Sequence, residues 1–220
     1  MDAISDMIEK YEFYGIRVLD GHLIPAHWEL TFNFQAINDG TEKSVQESII
    51  SYHKIKFWLE SVLSDVIISN HNDELGENLY YSSSNSAIVC PSTPTDSQLV
   101  QLIHAKLNSI GFSASIIDDV SLNASDSTAT YVYSSAGEYT INKDYIKDRY
   151  HKEPWWLRNS YDAYDVTCHD VEQDEELQNY IKSEDPLSAL EKQLRNELKG
   201  ADQSAKIIKM PTNKWTPKIV

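Results

Sequence analysis

The chain has 220 residues, a formal charge of −15 and an ordinary apolar fraction. That length suits one domain of about 150 residues plus an appendage. The charge weighs against nonspecific nucleic-acid binding, because a phosphate backbone repels an acidic surface, and no apolar run reaches transmembrane length.

Cys90 and Cys168 are the two cysteines, far apart and without ligand-like spacing. They fit a reducing compartment rather than a disulfide framework. The N-terminus has no basic-then-apolar leader pattern, so cytoplasmic synthesis is expected.

In chain order, Met1 to Lys10 reads as a short helical turn and Tyr11 to Asp20 as a first strand, followed by an Asp20-Gly21 turn. Ala26 to Ala36 alternates without a break. Trp28, Leu30, Phe32, Phe34 and Ala36 point one way; His27, Glu29, Thr31, Asn33 and Gln35 point the other. This predicts a strand with one buried and one polar face, the latter meeting water or a subunit interface. Asn38-Asp39-Gly40 ends it.

A helix is predicted over Ser51 to Ile67, where Ile55, Trp58, Leu59, Val62, Leu63 and Val66 form one apolar stripe. Ser69 to Ser86 reads as a polar loop before a short strand at Ala87 to Cys90. A second helix begins after Pro94. Thr95 is its cap, Gln98 stands where a capping box needs its return bond, and Leu99, Leu102, Ile103, Leu107 and Ile110 form its buried face before Gly111. Phe112 to Leu122 and Ala129 to Tyr133 read as two more strands. The expected fold is α+β: a two-layer, four-stranded antiparallel sheet with two helices on one face.

The expected domain covers residues 1–140, and residues 141–220 form an extended, partly helical arm. Lys143 to Arg149 reads as helical, Pro154-Trp155-Trp156 as an exposed aromatic knot, and Asp170 to Glu176 as an acidic run. A helix at 186–199 has a Pro186 start, a Gly200 stop and a narrow stripe of Leu187, Leu190, Leu194 and Leu198. In the tail 201–220, four lysines stand against Asp202, a net +3, with Ile207, Ile208 and Trp215 among them. Such a tail should dock on an acidic surface of a neighbouring subunit or partner. Trp155, Trp156, the four leucines, Ile207, Ile208 and Trp215 are therefore the expected partner-binding residues.

Residues from about Tyr11 to Tyr133 resemble the 6-pyruvoyl-tetrahydropterin synthase family, which includes 6-carboxy-tetrahydropterin synthase. Three stretches carry the likeness: Tyr52 to Leu59, Pro94-Thr95 with its helix, and Val120 to Tyr131. The resemblance implies the T-fold, with two hairpins, two helices on one face, and subunits joined into barrels. It also implies zinc held by three histidines, but only His27 of Pro25-Ala26-His27 matches. The family's Asp-His reads Asp65-Val66, its substrate-anchoring glutamate falls near Ala124, its Pro-Thr-x-Glu position carries Ser97, and the loop between the first strands has no cysteine. One histidine cannot hold a catalytic zinc, and a pterin-like ring loses its charged anchor without the carboxylate.

Other constellations are weaker. His22 and His27 could ligate metal with His53 or His71, yet scattered histidines are more often ordinary polar residues. Cys168-His169-Asp170 has the residue types of a thiol site, but sequence neighbours rarely face each other productively. Asn123-Ala124-Ser125 matches a glycosylation pattern without a leader to support its use. The expectation is a non-catalytic T-fold protein with no cofactor and no metal. It forms homo-oligomers and binds other proteins, as in a virus particle or another large assembly. The alternative is a pterin- or purine-directed lyase with a rearranged site of His22, His27 and Asp65.

Overall fold

A computed structural model describes residues 3–37, 39–70, 72–82, 86–112, 114–125, 128–134, 154–161 and Leu194. The fold is α+β, as expected, but the sheet is six-stranded and mixed, with order β4-β3-β1-β2-β5-β6. Four of its strands are those of the expected antiparallel sheet: β1 (Ala3–Leu19), β2 (His22–Ile37), β5 (Ser115–Ala124) and β6 (Thr130–Ser134); the short strand expected at Ala87 to Cys90 is also present, as the fourth in chain order. Two short strands, β3 (Val66–Asn70) and β4 (Ala87–Cys90), add in parallel at the outer side of β1.

The β1–β2 hairpin turns on Asp20 and Gly21, both with positive φ (49° and 74°). That is the two-residue turn whose twist suits a hairpin. Strand β1 begins eight residues earlier than expected, so the proposed helical turn at Met1 to Lys10 is corrected: residues 3–10 are strand, running opposite 31–37 of β2.

Helix α1 (Glu42–Val62) starts well before Ser51, because Thr41 caps it by accepting from the Ser44 N–H. Thr41 is itself held by Asp39, whose carboxyl is lowered to about 2, chiefly by the bond from the Thr41 hydroxyl. The helix also stops earlier than expected. Asp65 takes φ 52°, the chain reverses, and Val66 and Ile67 belong to β3. The expected loop 69–86 contains α2 (Glu74–Ser82). Helix α3 (Asp96–Gly111) starts where expected, with Thr95 accepting from the Gln98 N–H at 3.2 Å. The return bond of a capping box is not made: the Gln98 amide donates to Ser92, and the Thr95 N–H donates to the Thr93 carbonyl.

Helices α1 and α3 cover the face bearing Trp28, Leu30, Phe32 and Phe34, all buried as the alternation predicts. Ile117, Val120 and Leu122 of β5, Trp58 and Val62 of α1, and Leu102 and Ile103 of α3 complete that core. Helix α2 lies on the opposite face, where its Leu75 and Leu79 cover Val18, Ile67 and Ala87. Strand β3 pairs with Gly15 to Arg17 of β1, and at Gly15 any Cβ would collide with the Val66 carbonyl.

Candidate interaction surface

The residues of the alternative lyase site are not brought together. His22 and His27 lie five residues apart on one strand, about 17 Å at strand rise and on opposite faces. His27 stands on the open face, stacked on Tyr14 at 4.2 Å and 3.5 Å from Glu12. Asp65 acts on Tyr11, a residue of the helix-bearing side. His53 is buried in α1 against Tyr52. Ala124, at the position of the family's anchoring glutamate, is buried opposite Trp28. Among the described residues no three His, Cys, Asp or Glu side chains converge to hold a metal. His71 and Cys168-His169-Asp170 lie outside the described residues.

The aromatic knot needs correction. Trp155 and Trp156 are buried, and so is Leu194 of the leucine stripe; all three join the main core. The knot is therefore not exposed: its rings pack into the core of the described fold. The other expected partner-binding residues, Leu187, Leu190, Leu198, Ile207, Ile208 and Trp215, lie outside the described residues.

Residues 154–161 form a strap seated on α1 and α3, with one 3-10 turn at Trp155–Leu157. Trp155 stacks on Trp58 at 6.2 Å and donates its indole N–H to the Val89 carbonyl at 3.1 Å. Lys106 of α3, fully buried, donates to the carbonyls of Trp155 and Arg158 at 3.0 and 3.1 Å. Ser109, nearly one turn on, donates to the Trp156 carbonyl at 3.0 Å. Tyr161 meets Phe57 edge-on and lies under the Lys54 ammonium at 4.7 Å. A buried ammonium is tolerated when acceptors surround it, and here main-chain carbonyls serve.

A second polar cluster was not anticipated. Asp96, in the first turn of α3, accepts from Arg17 of β1 and from the Trp28 indole of β2 at 2.9 Å. The Arg17 guanidinium also lies over the Trp28 ring at 5.3 Å. The signal was an acid just after a Thr cap, where the helix dipole favours negative charge. The pair ties α3 to the hairpin. Nearby Cys90 has its thiol pushed up to about 12 by burial, with Arg17 pulling the other way, so it stays protonated and inert. His104 is likewise held neutral: burial lowers its pKa against the pull of the Asp118 and Ile117 backbone.

The surface that remains is the sheet itself. Over β1 to residue 14, β2, β5 and β6, the face opposite α1 and α3 carries no helix among the described residues. It is polar but studded with exposed apolar groups: Ile8 (72%), Val132 (66%), Tyr14 (57%) and Ile116 (39%). Glu12 and Glu29 stand directly across from each other on it. Strand β1 is also an edge: among the described residues, no strand pairs with its outer side before Gly15. Because Leu19 and His22 close a two-residue hairpin, odd residues of β1 exchange bonds with β2. Ile8, Lys10, Glu12 and Tyr14 therefore turn their N–H and C=O groups outward. Beside this edge a cleft of about 110 Å³ opens between β1 and α1, lined by Glu9, Tyr11, Phe32, Lys56, Leu59 and Glu60. The Tyr11 hydroxyl is pushed up to about 12, first by burial and then by Glu60 and Asp65, so it is a neutral donor.

No family model and no curated protein matches the chain. Among solved structures, an uncharacterized protein, WS1659 from Wolinella succinogenes, is similar at a TM-score of 0.39 and 12% identity, over 60% of this chain and 98% of that one.

Proposed function

We propose that the protein is a non-catalytic, T-fold-like assembly protein whose copies join through their sheets and which serves as a part of a larger protein assembly such as a virus particle. The observation that carries this reading is the outward row of main-chain groups on residues 3–14 of β1. Such a row is a template for another strand. The other end of the antiparallel part, β6, is also an edge among the described residues. Within the sheet β1 and β6 run in opposite directions. A rotation axis along the strands preserves their sense, so it sets β6 of one copy antiparallel to β1 of the next. That contact is head-to-tail and closes into a ring when the rotation permits. The apolar groups on the helix-free face then point into the ring.

Native mass measurement of the purified chain, beside a Lys10→Pro variant, tests this. Lys10 sends its N–H outward, so proline there removes a bond to a neighbour and none to β2. The expected result is a multimer for the native chain and smaller species for the variant, with an unchanged fold by circular dichroism. A monomeric native chain, or a variant of native mass, would overturn the reading.

A further inference from the structure

The free row on β1 does not by itself fix a register. Ile8, Lys10, Glu12 and Tyr14 all send their N–H and C=O groups outward, and β6, with residues Thr130–Ser134, is shorter than the row. The outward residues of β6 follow from its neighbour. The Ser125 N–H donates to the His27 carbonyl, so residues 121, 123 and 125 of β5 exchange bonds with β2. Val120 and Leu122 are left to exchange with Tyr133 and Tyr131, and Thr130, Val132 and Ser134 turn their main-chain groups outward. Moving β6 two residues along β1 keeps the same groups and the same faces in contact, so the main chain does not choose among such registers.

Side chains can choose. Tyr131 and Tyr133 stand opposite the buried Leu122 and Val120, hence on the side of the sheet that bears α1 and α3. Glu9 and Tyr11 stand on that same side of β1, opposite the buried Phe32 and Leu30. There the cleft between β1 and α1 opens beside the free edge. Phe32 and Leu59 give it apolar walls, and Glu9, Lys56 and Glu60 line it with charge. Glu9 is held by the Tyr52 hydroxyl at 3.0 Å, and Lys56 faces Glu60 at 4.0 Å. Its volume of about 110 Å³ is several times the roughly 10–15 Å³ that one water needs. An apolar slot edged by carboxylates matches a phenol, whose ring is apolar and whose hydroxyl needs an acceptor.

We infer that this cleft is the seat of the Tyr131 side chain of a second copy, and that the seat fixes the register of the contact between sheets. This rests on the assembly reading above. With Val132 opposite Lys10, antiparallel order sets Tyr131 opposite Tyr11 and Tyr133 opposite Glu9, the two β1 positions that flank Lys10 in the cleft wall. A slip of two residues in either sense carries one of the two tyrosines past the cleft, to Phe13 or to Met7. Tyr133 is engaged by His104 of its own α3 at 4.9 Å, whereas Tyr131 is only partly covered by its own chain. Tyr131 is therefore the ring that enters, with Glu60 as the acceptor for its hydroxyl.

The test uses full-length chains with two different tags, all carrying Cys168→Ser. One chain has Val132→Cys; its partner has Ile8→Cys, Lys10→Cys or Glu12→Cys, all exposed positions. Cys90 stays, because it is buried and protonated. Pairs are co-expressed, oxidised gently and weighed without reductant. A disulfide needs Cα atoms within about 7 Å, and a two-residue slip adds about 6.8 Å along the strand, so each pair reports one register. Lys10→Cys should give the two-tag product about tenfold over the other two, the upper worth of one well-seated ring. Adding Tyr131→Ala to the Val132→Cys chain should spread the product over all three positions. Where that variant fails to fold, Glu60→Trp in the partner chain fills the cleft from its exposed rim and should do the same. Equal yields in the native background, a maximum at Ile8 or Glu12, or a preference that survives these changes would overturn the proposal. Native mass separates the two readings. A monomer sinks the assembly and the seat together; a multimer that crosslinks through Val132 without preferring Lys10 sinks the seat alone.

Discussion

Alternate residues of β2 face two different surroundings. On one side Trp28, Leu30, Phe32 and Phe34 are sealed under α1 and α3. On the other, His27, Glu29, Thr31, Asn33 and Gln35 have no helix above them among the described residues. The same backbone carries stability on one face and, on our reading, recognition on the other. A side chain's face should therefore predict what its loss does, and variants on each side can break or sharpen that contrast.

The largest effect is expected at Trp58, fully buried on the covered side. Trp58→Ala should cost about 3–5 kcal/mol in chemical denaturation, through lost transfer energy and the cavity left beside Trp155. A loss under about 1 kcal/mol would place the ring outside the core. Next comes Asp96→Ala, which leaves Arg17 mostly buried without its carboxylate. About 3 kcal/mol is expected there, the lower end for breaking a buried pair because both groups keep some exposure. Urea titrations that showed no shift in midpoint would make the pair ornamental. The smallest effect is expected on the open face. Glu29→Gln removes one of two carboxylates directly opposed across strands, so the isolated chain should gain less than about 0.5 kcal/mol. A destabilisation above about 1 kcal/mol would mean that Glu29 is buried against something, and the contrast between faces would fail.

Much of the covered face was legible because periodicity reports burial. The unbroken alternation of Ala26 to Ala36, the Thr95 cap and the Leu99 to Ile110 stripe each register a surface in contact with the core. The first half of α1 is signalled by Thr41, Ser44, Val45 and Ile49, which carry its cap and spacing, but a polar stretch after a turn reads as loop when taken alone. The first two residues of β3, Val66 and Ile67, read as the end of a helix because the strand is buried on both faces, and continuous burial erases the period that tells strand from helix. The seating of the Trp155-Trp156 strap is illegible for a different reason. Nothing local shows that two indoles beside a proline have seats waiting on α1 and α3, more than forty residues back. The Arg17–Asp96 pair, 79 residues apart, was illegible for the same cause.

Gly15 gives the sheet a fixed measure. Because it lacks a Cβ, β3 can close against β1 there and end the unpaired row at Tyr14. A methyl group at that position would prise β3 away and let the row run on toward the hairpin. A row of set length accepts a strand of set length, whereas a longer one accepts any extended chain, including an unfolded copy of the same protein. On the assembly reading, the hydrogen in place of a methyl at Gly15 would thus mark the boundary between a ring that closes and a fibre that keeps growing.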